Sequence, residues 1–176
     1  MPDLTFFHPM VVHFPIALLI AGFFSDLAGI LLKKEYLSKA GLLMLLAGAL
    51  GAVVAYFSGS SAGEGLAEGG ALKQALEAHE GAAELTLWLV LAGAVLRGGF
   101  VLAKKYSGAL RWIPTVVLLA AVLSIARTGH LGGQLVFKHA AGVQLSFDTF
   151  PADSTQEAMP EQTGSDSAQP EPSDKE

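Results

Sequence analysis

The sequence PMVVHFPIALLIAGFFSDLAGILL occupies residues 9–32 and contains a single charged residue, Asp26. A bilayer core of roughly 30 Å needs about 20 apolar residues of helix, because backbone groups in lipid must form their hydrogen bonds within the segment. The residues before this stretch carry Asp3 and no lysine or arginine, unlike the leader of a secretory signal peptide. We therefore predict a retained membrane span over residues 9–32.

Three further apolar stretches predict spans at about residues 40–58, 82–103 and 110–131. The apolar residues AVILMFWYC make up 52% of the 176 residues and charged residues only 15%, which is more apolar than a soluble domain needs. We expect an all-α integral membrane protein, a four-helix up-down bundle whose partner is the lipid bilayer. Small residues in the second span are either ordinary membrane composition or sites of close helix approach. They are Gly41, Gly48, Gly51, Ala52, Ala55 and Gly59.

The acidic charge of the chain is concentrated in its last residues. The formal net charge is -5, yet residues 1–147 carry ten basic and eight acidic residues, whereas residues 148–176 carry eight acidic residues and one lysine. The final stretch has few bulky apolar side chains, so burial cannot offset the entropy of ordering it. We predict a four-span membrane domain over residues 1–147 and a disordered acidic tail over residues 148–176.

Loop cations predict how the spans are oriented. The loops after the first and third spans carry six cations, while the opposite side carries only Lys73 and Lys138 near the membrane. The positive-inside rule places the six in the cytoplasm and both termini on the outer side. The six are Lys33, Lys34, Lys39, Lys104, Lys105 and Arg111.

All five histidines then lie on the outer side of the membrane. Histidine binds haem iron and transition metals and titrates near neutral pH, so this clustering indicates a site. His13 lies about one turn inside the first span, and we predict that it converges with His79 and His130. His8 and His139 are expected at the rim of that site.

Two arginines lie within the predicted spans. His79 and Arg97 are 18 residues apart, five turns of a continuous helix, so we expect both to face the interior and Trp88 to face lipid. Asp26 lies at a similar depth to Arg97, and we predict a structural ion pair between them.

Arg127, one turn deeper than His130, has two interpretations. It could meet a haem propionate, or it could pair with Glu80 or Glu84 at the start of the third span.

The leading functional hypothesis is a b-type haem near the outer face, with His13 as one axial ligand and His79 or His130 as the other. Arg127 would tune the propionate charge, and the protein would pass electrons to a redox partner. Any haem would be non-covalent, because the chain has no cysteine.

Two alternatives stay open. In the first, two or three of the residues His13, His79 and His130 bind a divalent transition metal together with Glu80 or Glu84. In the second, the protein is a scaffold or accessory subunit of a membrane complex, and its histidines only form hydrogen bonds. Hydrolase and phosphate-binding motifs are absent from the sequence, so we name no catalytic residues and expect a binding or electron-transfer protein rather than an enzyme. Nothing indicates nucleic-acid binding.

The two ends of the apolar body resemble a known family. The stretches HPMVVHFPIALL (residues 8–19) and GGQLVFKHAAGV (residues 132–143) are similar to the signature ends of the domain of unknown function 2231 family of bacterial multi-pass membrane proteins. The resemblance covers about residues 5–147. It implies a four-span domain in the bacterial inner membrane and no particular activity. The family pattern has glycine directly after the last histidine, where this chain has Ala140.

Overall fold

The computed structural model describes residues 7–63 and 70–141. They form four α-helices: α1 (Phe7–Leu31), α2 (Glu35–Gly63), α3 (Gly70–Leu102) and α4 (Trp112–His139). Each helix is long and apolar enough to cross a membrane, which confirms the predicted all-helical, four-span fold of an integral membrane protein. Residues 142–176, including the predicted acidic tail, lie outside the described part of the chain.

Three helices, α2, α3 and α4, are clearly longer than their predicted spans. α3 begins at Gly70, so the stretch before His79 is part of one continuous helix, and α4 runs through Gly132 and Gly133 to His139. Glycine inside a helix costs about 1 kcal/mol relative to alanine, a cost that packing can offset. At Gly132 the packing partner is the imidazole of His79, which would lie 3.1 Å from an added Cβ atom.

α1 and α3 end in the same way, with a lysine in the left-handed backbone region. Lys33 and Lys104 both have φ of 55°. The amide of the following lysine reaches back to the carbonyl of Gly29 in α1 (3.0 Å) and of Phe100 in α3 (2.8 Å). These bonds satisfy carbonyls that the helix leaves free, in a position where glycine is the usual residue. Each of these helices therefore ends at a Lys-Lys pair, and the first lysine of the pair forms the turn.

α4 ends in the corresponding conformation at Ala140, with φ of 51°. The amide of Ala141 donates to the carbonyl of Leu135 at 3.0 Å. This is the position where the family resemblance implies glycine, and the positive φ supplies the physical reason, since a Cβ atom is strained in this region.

α1 packs mainly against α2, and α3 mainly against α4. The α1–α2 contact depends on glycines, because a Cβ atom on Gly41 would lie 2.7 Å from the backbone nitrogen of Asp26. Gly51 packs in the same way against Pro15, which α1 accommodates without a break. Of the two interpretations of the small residues in the second span, close helix approach therefore applies at Gly41 and Gly51. The core side chains are Leu19, Phe23, Leu45, Ala49, Val90, Ala94, Leu118, Ala121 and Ile125.

The outside of the bundle is apolar. Large side chains such as Phe14, Trp88 and Phe137 are exposed, as lipid-facing residues of a membrane protein would be. Polar and charged side chains cluster toward both ends of the bundle. We call the end where α1 and α3 finish and α2 and α4 begin the lysine end, and the opposite one the histidine end.

Candidate functional site

A small cavity at the histidine end brings two histidines together. His8 from the first turn of α1 and His79 from α3 both line it, with Glu80 beside them. The cavity has a volume of about 130 Å³, and α2 contributes Ser60 and Gly63 to its wall. With Leu135 of α4, all four helices line the cavity, and the imidazoles come from residues 71 positions apart in the sequence.

The hydrogen bonds of His8 determine which ring nitrogen carries the proton. The Nδ1 atom lies 2.9 Å from the hydroxyl oxygen of Ser58, and that hydroxyl donates its own proton to the carbonyl of Ala55 at 2.9 Å. A hydroxyl has one proton to donate, so the Ser58 oxygen must accept from His8. Nδ1 of His8 therefore carries hydrogen, and the lone pair of Nε2 is available to a ligand.

His79 has the same arrangement with a different partner. Its Nδ1 atom lies 3.2 Å from the carbonyl oxygen of Thr128 on α4. A carbonyl only accepts, so Nδ1 is again the donor and the Nε2 lone pair is available. The structure thus holds both imidazoles in one tautomer, each through a partner on a neighbouring helix.

Glycines make room for both rings. A Cβ atom on Gly59 would lie 2.7 Å from Cε1 of His8, and one on Gly132 would lie 3.1 Å from Cε1 of His79. The carboxylate of Glu80 occupies a similar space, 2.8 Å from the Cβ position of Gly63. Sequence reasoning missed Ser58 and the role of these glycines. The available signal was the presence of glycine near the ends of the two helices that finish beside the histidines.

The other predicted histidines lie away from this cavity. His13 is exposed on α1, and its Nδ1 donates to the carbonyl of Pro9. His130 is exposed on α4, where its Nε2 accepts a hydrogen bond from the side-chain amide of Gln134 at 2.7 Å. His139 is half-buried near the end of α4. The structure brings together His8 and His79, rather than His13, His79 and His130.

The charged residues predicted for the site are also dispersed. Arg127 and Glu84 are exposed, and within the described ranges no salt bridge joins Arg127 to Glu80 or Glu84. In the part of the chain that the structure describes, no three His, Cys, Asp or Glu side chains are already gathered as a metal site. The cavity offers two imidazoles and a nearby exposed carboxylate, and does not offer a preformed cage.

A strip of hydroxyl groups leads inward from His79 between α3 and α4. Thr86 Oγ1 lies 2.7 Å from the Ser124 hydroxyl and 2.9 Å from the Thr128 hydroxyl. The backbone carbonyl of the same Thr128 accepts from His79. Interhelical hydrogen bonds of this kind hold membrane helices together where apolar contacts give little preference over lipid. The strip fixes the position of α4 relative to His79.

The second polar cluster lies toward the lysine end. Arg97 is buried and donates from Nε and Nη2 to the carboxylate of Asp26 at 3.1 and 3.0 Å, which confirms the predicted pair. Ser38 and Tyr106 also donate to Asp26, and Nη2 of Arg97 contacts the Ser38 carbonyl at 3.1 Å. The Arg97 guanidinium lies over the Tyr106 ring, 3.4 Å from its centroid. Sequence reasoning found the pair and missed Ser38 and Tyr106, which come from a helix start and a loop.

Burial and the hydrogen bond to Asp26 raise the pKa of Tyr106. The phenol therefore stays protonated and donates to the carboxylate throughout the physiological range.

Comparison with known proteins identifies a family without an assigned activity. A family model described as "Predicted membrane protein (DUF2231)" matches residues 5–145, which cover most of the chain. No curated protein and no solved structure matches the chain. The match agrees with the resemblance of the two sequence ends and with a multi-pass membrane protein.

Proposed function

Because the chain belongs to the DUF2231 family of predicted membrane proteins, for which no chemistry is assigned, we propose a function from its own geometry: the histidine end binds a divalent transition-metal ion. The observation that supports this proposal is the shared tautomer of His8 and His79. Each ring uses Nδ1 for a hydrogen bond to protein, which leaves Nε2 as the ligand nitrogen, and both residues line the same cavity.

This arrangement is typical of metal-binding imidazoles. A ligating histidine commonly donates its other ring N–H to a carbonyl, carboxylate or hydroxyl, which orients the ring and raises the basicity of the ligand nitrogen. Ser58 and Thr128 provide that support here. Glu80 is exposed, and rotation of its side chain supplies a third ligand, with water completing the coordination. Mixed imidazole and carboxylate ligands suit zinc, iron or nickel, with metal–nitrogen distances of about 2.0–2.1 Å for zinc.

The size of the cavity favours an ion over a macrocycle. Its volume of about 130 Å³ is below the roughly 300–1,000 Å³ of ordinary organic ligand pockets. His13, the axial ligand of the haem hypothesis, lies on the exposed side of α1. The haem and electron-transfer hypotheses stay predictions, and the same experiment examines them.

The experiment compares metal content, metal affinity and visible absorption of the full chain in detergent. Cobalt(II) is the probe, because its visible bands report nitrogen and oxygen coordination while it occupies zinc-type sites. The test variant is His8→Ala with His79→Ala. The matched control is His13→Ala with His130→Ala, which removes the same number of imidazoles from the same end of the bundle.

We expect saturable cobalt binding by the wild type and the control, and loss of binding in the test variant. Equal affinity in all three proteins would exclude this site and leave the scaffold hypothesis. A Soret band that disappears in the control variant would instead establish the haem hypothesis.

A further inference from the structure

A larger cavity lies at the lysine end, on the side of the molecule opposite the histidines. Its volume is about 680 Å³, and it lies where all four helices begin or end. Five of its described lining residues are cationic and one is acidic. They are Lys33, Lys39, Arg97, Lys104, Arg111 and Glu35.

The local carboxylates leave part of this positive charge without an ion partner. Asp26 pairs with Arg97, and Glu35 pairs with Lys39 at 3.3 Å. Within residues 7–63 and 70–141, no salt bridge engages the other three cations of the lining, Lys33, Lys104 and Arg111. Like charges around one cavity repel each other, and an anion would relieve that repulsion.

Two buried hydrogen-bond donors independently indicate a ligand. Nη1 of Arg97 and Nε of Arg111 are both buried and have no hydrogen-bond partner among the described residues. Both side chains line the cavity. Buried polar groups in native proteins are nearly always satisfied, and guanidinium groups match the geometry of phosphate and carboxylate oxygens. These two guanidinium groups, both in the lining of one cavity, have donors that suit an oxyanion ligand.

The Arg97 guanidinium is held in place before any ligand arrives. Asp26 accepts from Nε and Nη2, the Ser38 carbonyl accepts from Nη2, and the Tyr106 ring lies against the guanidinium plane. Nη1 is the one guanidinium nitrogen that donates to none of these partners and makes no hydrogen bond to the described residues. A donor fixed in this way loses little entropy when it binds an anion.

Lysine stands in the cavity wall where helix geometry favours glycine. Lys33 and Lys104 both occupy the left-handed position that ends a helix, and each lines the cavity. The neighbouring lysines, Lys34 and Lys105, are absent from the described lining. A positive charge that served only to orient the chain in the membrane would act equally well from either member of each pair.

We propose that the lysine-end cavity binds a phosphate-bearing anion through Arg97 and Arg111, with Lys33 and Lys104 at its rim. The cavity is larger than inorganic phosphate, and Ile30, Leu42 and Val101 give it an apolar side. A phospholipid headgroup with its glycerol and a soluble organic phosphate share this chemistry. The loop cations predict that this end faces the cytoplasm, where both sources are present. This inference is independent of the metal site at the other end.

The test measures the unfolding temperature of the full chain in non-ionic detergent as each probe is added. One arm adds short-chain phosphatidylglycerol, with phosphatidylcholine of the same chain length as its control. The other adds inorganic phosphate, with chloride at matched ionic strength. Stabilisation by the anionic lipid alone assigns the site to a headgroup, and stabilisation by phosphate assigns it to soluble anions. The proposal is overturned if the unfolding temperature does not rise to a plateau with either probe.

Paired variants separate a specific site from general electrostatic attraction. Lys33→Gln with Lys104→Gln removes the rim charges, and Lys34→Gln with Lys105→Gln removes the same charge from the adjacent positions. All four lysines are exposed, so both variants should fold, and their unfolding temperatures without ligand check this. We expect the apparent Kd of the stabilising probe to be about tenfold higher for the first variant than for the wild type, and to change little for the second. Equal weakening by both variants would show that only net charge matters and would overturn the proposal.

Discussion

The carboxylate of Asp26 and the guanidinium of Arg97 form a buried ion pair across the diagonal of the bundle, with N···O distances of 3.0 and 3.1 Å. Close backbone contacts join α1 to α2 and α4, and α3 to α2 and α4, whereas none joins α1 to α3 within the described ranges. The length of the arginine side chain makes this diagonal link. Ser38 and Tyr106 complete the hydrogen bonding of Asp26.

Removing one partner of this pair should be far more damaging than removing both. Arg97→Ala or Asp26→Ala leaves an uncompensated buried charge, with an expected loss of about 3–5 kcal/mol in the free energy of unfolding. Asp26→Leu combined with Arg97→Met should lose less free energy of unfolding than either single change. Denaturant titration in detergent, followed by circular dichroism, measures this. Lys39→Ala, which breaks an exposed pair with Glu35, is the control, and equal losses in it and Arg97→Ala would contradict the prediction.

Tyr106→Phe should lower the free energy of unfolding at neutral pH by about 1–2 kcal/mol, because it removes the hydroxyl that donates to Asp26. Burial and that hydrogen bond raise the pKa of Tyr106 in the folded protein above the unfolded value of roughly 10. The stabilising contribution of the protonated Tyr106 hydroxyl is therefore complete below a pH of about 10, and it is lost as the pH rises toward the folded-state pKa. As the pH is raised above about 10, the free energy of unfolding should fall less steeply with pH for the variant than for the wild type. Parallel curves for the two proteins would refute this assignment.

Gly41→Ala should separate α1 from α2. The new Cβ atom would lie 2.7 Å from the backbone nitrogen of Asp26, which cannot move aside as a flexible side chain could, so we expect a loss of about 1–3 kcal/mol. Gly99→Ala in α3 is the matched control, because no atom lies within 4 Å of its Cβ position. The control should be stabilised by up to about 1 kcal/mol through helix propensity. Similar effects of the two changes on the unfolding temperature would argue against tight packing at Gly41.

Ala140→Gly should stabilise the end of α4 by about 0.5–1 kcal/mol. The backbone there has φ of 51°, where a Cβ atom is strained, and the gain exceeds the extra freedom of glycine in the unfolded chain. Ala126→Gly, in the middle of the same helix, should instead be destabilising by about 1 kcal/mol. Unfolding measurements on both variants should give opposite signs, and a loss at position 140 would show that the strain is not relieved.

Ser58→Ala tests how the proposed metal ligand is supported. The change removes the hydroxyl that accepts from Nδ1 of His8, so cobalt affinity should fall about 10- to 100-fold while the unfolding temperature changes little. Ser61→Ala, an exposed serine one turn further along α2, should leave the affinity unchanged. If Ser58→Ala binds cobalt as the wild type does, Ser58 does not orient a ligand.

Depth along each helix was readable from the sequence. Each residue advances a helix by about 1.5 Å, so counting residues placed Asp26 beside Arg97 and predicted their pair correctly. Counting also assigned the six loop cations and the histidines to opposite ends of the four spans. It could not find Ser38 or Tyr106, because their contact with Asp26 depends on how a second helix and a loop fold back.

The sequence by itself determined the number of spans, their order and the heights of the charged and histidine residues. Only the tertiary structure decided which histidines meet, because that depends on the rotation of each helix about its axis. Helices that are apolar on every side carry little signal for rotation, since lipid and protein interior are equally apolar. Glycine contacts between α1 and α2 turn His8 toward Ser58 and Gly59. His13, about 140° further around an ideal helix, consequently lies outside the cavity.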